Sequence, residues 1–161
     1  GCESLESVRV ETEQFSNECL FAGCTKLASF TTNEDNRLFS SKDGVLFDKE
    51  GKGLIAYPNA KESDYEVPAS VEKIGKCSFF DCENLKNIIL PFHLIEIERA
   101  AFSNCHHLES IKLFAANPPH AIESSFAMVD KHKCVLYVPN SSLSLYKKHP
   151  IWGAFDNIVG F

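Results

Sequence analysis

No stretch of the chain approaches 18 uninterrupted apolar residues, so it does not encode a membrane-spanning helix. Basic residues are in deficit: 16 Lys and Arg stand against 22 Asp and Glu, a formal net charge of −6. Gripping nucleic acid or an anionic lipid surface needs a basic face, and no cluster of Lys and Arg supplies one. Neither C-x-x-C nor paired Cys/His zinc spacing occurs, and no two histidines stand four apart to share a helix face. The motifs G-x-S-x-G, the P-loop and G-x-G-x-x-G are missing too. These absences leave no catalytic residue, metal ligand or cofactor to expect. Methionine and tryptophan each occur once, whereas phenylalanine occurs 13 times in 161 residues. A hydrophobic content of 44% over that length is enough for one domain with a continuous core.

What the chain does have is a repeat. Residues 68–90, PASVEKIGKCSFFDCENLKNIIL, align without a gap on residues 91–113, PFHLIEIERAAFSNCHHLESIKL, at a period of 23. Identical positions include Ile74/Ile97, Phe79/Phe102, Cys82/Cys105, Leu85/Leu108, Ile88/Ile111 and Leu90/Leu113, and the positions between them vary in charge. A coil of that length cannot bury its apolar face alone, so coils must stack and share a core, which makes a solenoid. Upstream, Phe21, Cys24, Leu27 and Phe30 fall on the same phase, as do Cys2, Leu5, Val8 and Val10. Downstream the pattern decays through Ile122, Phe126 and the strand-like VLYVP at 135–139.

Each coil divides into short pieces. Leu85-x-x-Ile88-x-Leu90 ends with the in–out alternation of a half-buried strand, and proline follows at Pro91, as it does at Pro58, Pro68 and Pro139. A second apolar pair, Val71/Ile74 or Leu94/Ile97, predicts another short extended piece. KCSFFDC and RAAFSNC predict a helical turn or two held by the packing of phenylalanine. Equivalent strands stack into a parallel sheet whose outward positions are Ser7, Arg9, Ser29, Thr31, Asn87, Ile89, Ser110 and Lys112. Ile89 is the apolar residue on that face, with Leu136 as a second candidate. Between Phe21 and Phe79 the spacing is 58, one period of 23 plus 35. Either one coil carries about 12 extra residues, or a whole coil has diverged beside an insertion. DGVLFDKEGKGLIAYP at 43–58 has the two apolar runs and charged, Gly-containing turn of a hairpin, expected to bury Val45, Phe47, Ile55 and Tyr57.

The pattern I-x-x-x-x-F-x-x-C-x-x-L-x-x-I-x-L-P resembles the BspA-like leucine-rich repeat, which has the same 23-residue unit. The resemblance implies a leucine-rich-repeat solenoid of about five coils with short parallel strands and short helical turns. The solenoid would occupy 1–139 with the hairpin inserted at about 35–64, and a C-terminal cap would occupy 140–161. Members are commonly surface or secreted proteins of Bacteroides-type bacteria and some protozoa. Where a function is assigned, it is adhesion to host proteins or other cells.

Seven cysteines sit awkwardly with a disulfide framework, because the number is odd. Cys2, Cys24, Cys82 and Cys105 share one repeat position and read as a ladder of buried thiols, with Cys134 outside it as a strand residue. Adjacent coils about 5 Å apart keep a Cys82–Cys105 bridge open by distance, and Cys19–Cys24 or Cys77–Cys82 are open by spacing. His106-His107 takes the place of Glu83-Asn84 and Thr25-Lys26 in other coils, so it reads as a solvated turn. Leu143 and Tyr146 predict one face of a short helix ended by Pro150, and Trp152, Phe155, Ile158 and Phe161 predict a cap over the last coil. The opening GCESLESVRV reads as the second half of a repeat, so further coils are expected before Gly1.

The function expected from these features is non-enzymatic. The chain reads as a protein-interaction module of a surface or secreted, adhesin-like protein, monomeric, located at the cell surface or outside the cell. A protein or glycoprotein partner, including one of host origin, would bind the strand face at Arg9, Ser29, Thr31, Asn87, Ile89, Ser110 and Lys112. The alternative is a structural spacer that presents another domain away from the cell. A contiguous apolar or aromatic patch on one face would favour binding, and a patchless surface would favour the spacer.

Overall fold

The repeat folds into coils that each lay down one strand on a first sheet and one on a second. The computed structural model describes residues 1–12, 14–15 and 18–161. In chain order the strands are β1 (Ser7–Val10), β2 (Ser29–Thr32), β3 (Phe39–Lys42), β4 (Val45–Asp48), β5 (Gly53–Ala56) and β6 (Asp64–Glu66). They continue with β7 (Lys73–Ile74), β8 (Asn87–Leu90), β9 (Glu96–Ile97), β10 (Ser110–Leu113), β11 (His120–Ala121), β12 (Val135–Val138) and β13 (Asn157–Gly160). Among the described residues one α-helix, α1, spans Leu143–Lys148.

The first sheet runs β6-β8-β10-β12-β13, all parallel. Its register is the sequence period made physical. Asp64 pairs with Asn87 and Asn87 with Ser110, each one period along. Residues 88, 111 and 136 point inward and residues 87, 89, 110, 112, 135 and 137 stand partly exposed, the alternation of a sheet covered on one face. Leu136 is therefore inward and fully buried, not an outward residue; Val135 and Tyr137 hold the outward places on β12. The second sheet runs β3-β4-β5-β7-β9-β11 and closes the coils from the other side.

Between the sheets lies a spine of aromatic rings. Tyr57 packs at a tilt on Phe79 at 4.9 Å, Phe79 stacks on Phe102 at 4.9 Å, and Phe102 stacks on Phe126 at 5.6 Å between ring centroids. Each coil supplies one ring, and the spacing of the rings is that of the stacked strands. Beside it run Cys82 and Cys105, fully buried thiols whose protonated form burial favours; the Cys105 thiol is pushed up to about 12 and donates to the Phe79 carbonyl at 3.1 Å. Cys24 is buried as expected, but Cys2 is exposed. Cys134 lies one residue before β12, not within it, and is buried.

The turns that link the sheets repeat as well. Cys77 and Ala100 take positive φ values of 54° and 56°, and Asp81 and Asn104, four residues on, take 59° and 64°. Asp and Asn tolerate this conformation better than other side chains with a Cβ, and here they are tied together: Asn104 Nδ2 donates to Asp81 Oδ1 at 2.8 Å, and the Gly23 N–H donates to Asp81 Oδ2 at 3.0 Å.

One coil departs from the rest, and it resolves the spacing of 58. Its first-sheet strand is β6, so a whole coil is present, and the extra residues between β2 and β6 form β3 and β4. The β4–β5 pair is antiparallel, as the hairpin signature requires. Its second strand, β5, also pairs in parallel with β7, so the hairpin is woven into the second sheet. Val45, Phe47 and Tyr57 are buried as expected, together with Leu46 and Leu54, because both faces of the hairpin are covered. Ile55 is only half-buried and packs on the smaller core formed around Leu27, Phe30 and Leu46.

The same coil has a short turn: residues 57–63 do the work that 75–86 and 98–109 do in its neighbours. Strands in a sheet are about 4.8 Å apart, so positions two coils away should be about 10 Å apart. Yet Cys19 and Cys77, on turns either side of the short one, have Cα atoms 5.0 Å apart and form a disulfide. The missing turn lets its neighbours close over it. Asn59 fills the remaining space, its side chain donating to the carbonyls of Phe80 and Asp81 at 3.3 and 3.2 Å. The bridges considered from spacing, Cys82–Cys105, Cys19–Cys24 and Cys77–Cys82, are not formed; Cys24, Cys82 and Cys105 are free thiols.

At the far end α1 and the chain after it close the solenoid. Tyr146 and Trp152 are fully buried, and each spends its polar atom on the preceding coil: Tyr146 Oη donates to the Ala115 carbonyl and Trp152 Nε1 to the Pro119 carbonyl, both at 2.8 Å. Trp152 and Phe155 pack edge-on against Phe126, ending the aromatic spine. Phe161 does not join this cap. It follows β13, a strand that the three-residue aromatic spacing concealed, and it emerges on the first sheet's outer face.

Candidate binding surface

The outward rows of the first sheet follow from its register. One row is Asp64, Asn87, Ser110, Val135 and Asn157; the next is Glu66, Ile89, Lys112, Tyr137 and Val159. The first row is tied into a polar ladder. Ser110 Oγ donates to Asn87 Oδ1 at 2.6 Å, and Asn87 Nδ2 donates to Asp64 Oδ1 at 2.7 Å. These bonds fix the rotamers of the exposed Asp64 and the half-buried Asn87 and Ser110.

Two residues beyond the second row stand two aromatic rings. Phe114 and Phe161 follow β10 and β13, are 43% and 41% exposed, and meet edge to face at 5.2 Å. Lys112 lies over both, its Nζ 5.1 Å from the Phe114 centroid and 4.4 Å from that of Phe161. The ammonium is held by the negative faces of the rings. Ile89, Tyr137 and the exposed Val159 continue the apolar surface along the same row. An aromatic patch with one cation at its centre is the chemistry of interface anchors. Phe114 and Phe161 belong to it beside the residues expected from sequence. The signal for Phe114 was available, since it takes the position of Pro91 and Pro68 one and two coils earlier.

The expected site residues fall into two groups. Asn87, Ile89, Ser110 and Lys112 share the five-stranded sheet. Arg9, Ser29 and Thr31 lie on β1 and β2, which form a separate two-stranded sheet with Ser7 beside Ser29 and Arg9 beside Thr31. Arg9 is paired with Glu11 at 3.0 Å, both well exposed, a contact that adds little to stability. The turn between β3 and β4 separates the groups: the Gly44 carbonyl accepts the Phe30 N–H at 2.7 Å, and Gly44 is pressed against Ser29. The strand face is thus a long sheet and a short one, not a continuous surface. His106 and His107 are exposed on their turn. No helix among the described residues is long and apolar enough to cross a membrane.

The sequence pattern of the BspA type leucine-rich repeat region matches residues 55–143, in six copies. No curated protein matches the chain. Among solved structures, a leucine-rich repeat protein from Eubacterium ventriosum superposes with a TM-score of 0.56 at 15% identity, over 86% of this chain and 44% of that one. The pneumococcal vaccine antigen PcpA gives 0.51 at 18% identity, over 98% of this chain and 56% of its own. A leucine-rich cell surface protein from Faecalibacterium prausnitzii gives 0.52 at 20%, over 96% and 47%. The chain therefore spans about half the length of the structures it resembles.

Proposed function

The chain belongs to the BspA-type leucine-rich repeat family, and from that premise we propose that it is a non-enzymatic protein-interaction module of a surface or secreted, adhesin-like protein. The observation that carries this reading is the aromatic patch at the C-terminal end of the strand face: Lys112 over Phe114 and Phe161, continued by Ile89, Tyr137 and Val159. A spacer has no use for exposed rings gathered around a cation, whereas an interface concentrates its energy in such anchors. The ladder of Asp64, Asn87 and Ser110 runs beside the patch and supplies the hydrogen-bonding rim. Arg9, Ser29 and Thr31, on the separate short sheet, form a secondary contact region in this reading. Two further observations support an extracellular setting. The Cys19–Cys77 disulfide persists only where the surroundings are oxidising, and two of the structural neighbours are named as a vaccine antigen and a cell surface protein.

The partner is a protein or glycoprotein, and the test is binding of the purified chain to an immobilised panel of extracellular-matrix proteins and mucins. Beside it run a double variant, Phe114→Ser with Phe161→Ser, and a charge variant, Lys112→Glu. Saturable binding reduced tenfold or more by the double variant, and several-fold by Lys112→Glu, is the expected result. Binding that both variants retain places the interface elsewhere, and no saturable binding on the panel overturns the adhesin reading in favour of the spacer.

A further inference from the structure

We propose a second, separate site: the cleft beside the free edge of β6, which takes an extended basic peptide as an added strand. The strand face breaks between β2, in the two-stranded sheet, and β6, at the edge of the five-stranded one, the one place along that face among the described residues where consecutive strands do not pair. On its other side β6 is bonded to β8 through Ser63 and Val67, whose carbonyl and N–H meet Lys86, Asn87 and Ile89. Backbone groups alternate sides along a strand. The N–H and C=O groups of Asp64 and Glu66 therefore face the break, and no hydrogen bond among the described residues reaches them from there.

The break is a cleft of about 340 Å³ between Tyr65–Ala69 on one wall and Lys42, Asp43 and Phe47 on the other. Its apolar floor, from Phe47, Val67 and Pro68, would receive the inward side chains of a strand laid along β6. Its rim carries the charge. Asp43 and Glu66 have no ion-pair partner among the described residues and face the single lining cation Lys42. An exposed strand edge with unpaired hydrogen-bonding groups is a template for strand addition, and the excess of carboxylate selects lysine or arginine on the incoming chain. The Asp43–Gly44 turn, with φ of 51° and 78°, holds the far wall in place by its bond to Phe30. A site of this kind reads backbone and charge pattern, and does not depend on the aromatic patch, whose Lys112 and Phe114 lie at β10, two strands away.

The experiment is an amide titration of the full chain by nuclear magnetic resonance. The probes are an end-capped peptide alternating lysine with valine and threonine, and its counterpart with glutamate for lysine. At saturation the basic peptide is expected to slow hydrogen exchange of the Asp64 and Glu66 N–H groups at least tenfold, and to bind at least tenfold more tightly than the acidic one. Glu66→Pro removes an N–H that points away from β8, so it should abolish binding while the amide signals of residues 87–113 stay in place. Glu66→Gln keeps that N–H and should weaken the basic peptide several-fold, which reads the charge alone. Three results would overturn the proposal: shifts centred on Lys112 and Phe161, affinity unchanged in Glu66→Pro, or pairing of β6 with a second copy in the absence of peptide.

Discussion

Breaking the Cys19–Cys77 bridge should loosen one end of the molecule and leave the other intact. The bond closes a loop of 58 residues, and in the chain-entropy account a loop of that size restrains the unfolded state by about 4 kcal/mol. It spans β2, the β3–β4–β5 meander and the short turn at 57–63, the irregular part of the fold, and with them β6 and β7. In a solenoid each coil is held mainly by its neighbours, so the loss should stay local. The variant to make is Cys19→Ser with Cys77→Ser, compared with the oxidised protein and with the protein reduced by a phosphine. Urea unfolding followed by circular dichroism should show an early transition in the reduced and double-serine proteins, absent from the oxidised one. Hydrogen exchange should assign it to Ser7–Val10 and Ser29–Thr32, while Asn87–Leu90 and Ser110–Leu113 exchange as before. Asn59, the Gly23–Asp81 bond and the Lys76–Glu18 pair still join the two turns without the disulfide. If those contacts suffice, the midpoint will not move, and the claim that the covalent bond is what holds the short turn closed is wrong. A uniform loss of protection through β12 would refute the local reading instead.

Other expectations follow from the same geometry. Phe102→Ala removes the ring stacked between Phe79 and Phe126 and should cost about 3–5 kcal/mol in chemical unfolding, the usual range for a phenylalanine cavity. Asn59→Ala strands the carbonyls of Phe80 and Asp81 and should cost about 1–3 kcal/mol, whereas Glu83→Ala, exposed on its turn, should change stability by less than about 0.5 kcal/mol. A thiol reagent at pH 8 should label Cys2 within seconds and leave Cys24, Cys82, Cys105 and Cys134 untouched in the native state, as peptide mass mapping would report. His132 accepts a partner in Asp156 at 2.6 Å, and that carboxylate raises its pKa above the ordinary 6.5. A raised histidine pKa contributes stability below pH 6.5 that is lost as pH climbs through the folded value, so the tether between the segment before β12 and the segment before β13 weakens above that point. A proton titration should show the His132 pKa falling in Asp156→Asn, with Asp130 keeping a smaller upward pull; if it does not fall, the pair is a contact without electrostatic consequence.

The regular coils were legible because selection for stacking writes the same apolar residue at the same phase. Ile88, Ile111 and Phe79, Phe102 can be paired by counting, and the structure pairs them that way. Legibility fails where a neighbour, not the local pattern, decides. FSSK at 39–42 has no alternating apolar face, and it is a strand only because β4 offers it an edge. NIVGF at 157–161 shows hydrophobic residues three apart, which suited a cap, yet its backbone continues the parallel sheet and turns Phe161 outward. Leu136 was misplaced by one residue, and in a strand one residue exchanges the two faces. The disulfide was hidden for a different reason. Cys19 and Cys77 are separated by 58, the same offset that relates Phe21 to Phe79, so they sit at one phase of the repeat. That equivalence was available, but a bridge between them requires the intervening turn to be short, and turn length is visible only once β6 is located.

The irregular coil is therefore better seen as one device than as three defects. A short turn at 57–63 would leave a gap between the turns on either side, and the disulfide and Asn59 close it. On the opposite side of the same coil, the added residues of β3 and β4 bring the Asp43–Gly44 turn against β2 and keep β2 from pairing with β6. Closing one side while wedging the other is how a stack held at a spacing of about 4.8 Å acquires a cleft without losing its core. Shortening the wedge tests this directly. Deleting residues 40–47 removes the turn and its Gly44–Phe30 bond and frees the edge of β2 for β6, so the two sheets should join and the Asp64 and Glu66 amides should become protected without any ligand. Protection that stays low in the deletion variant would mean that the coils, and not the hairpin, hold the strand face open.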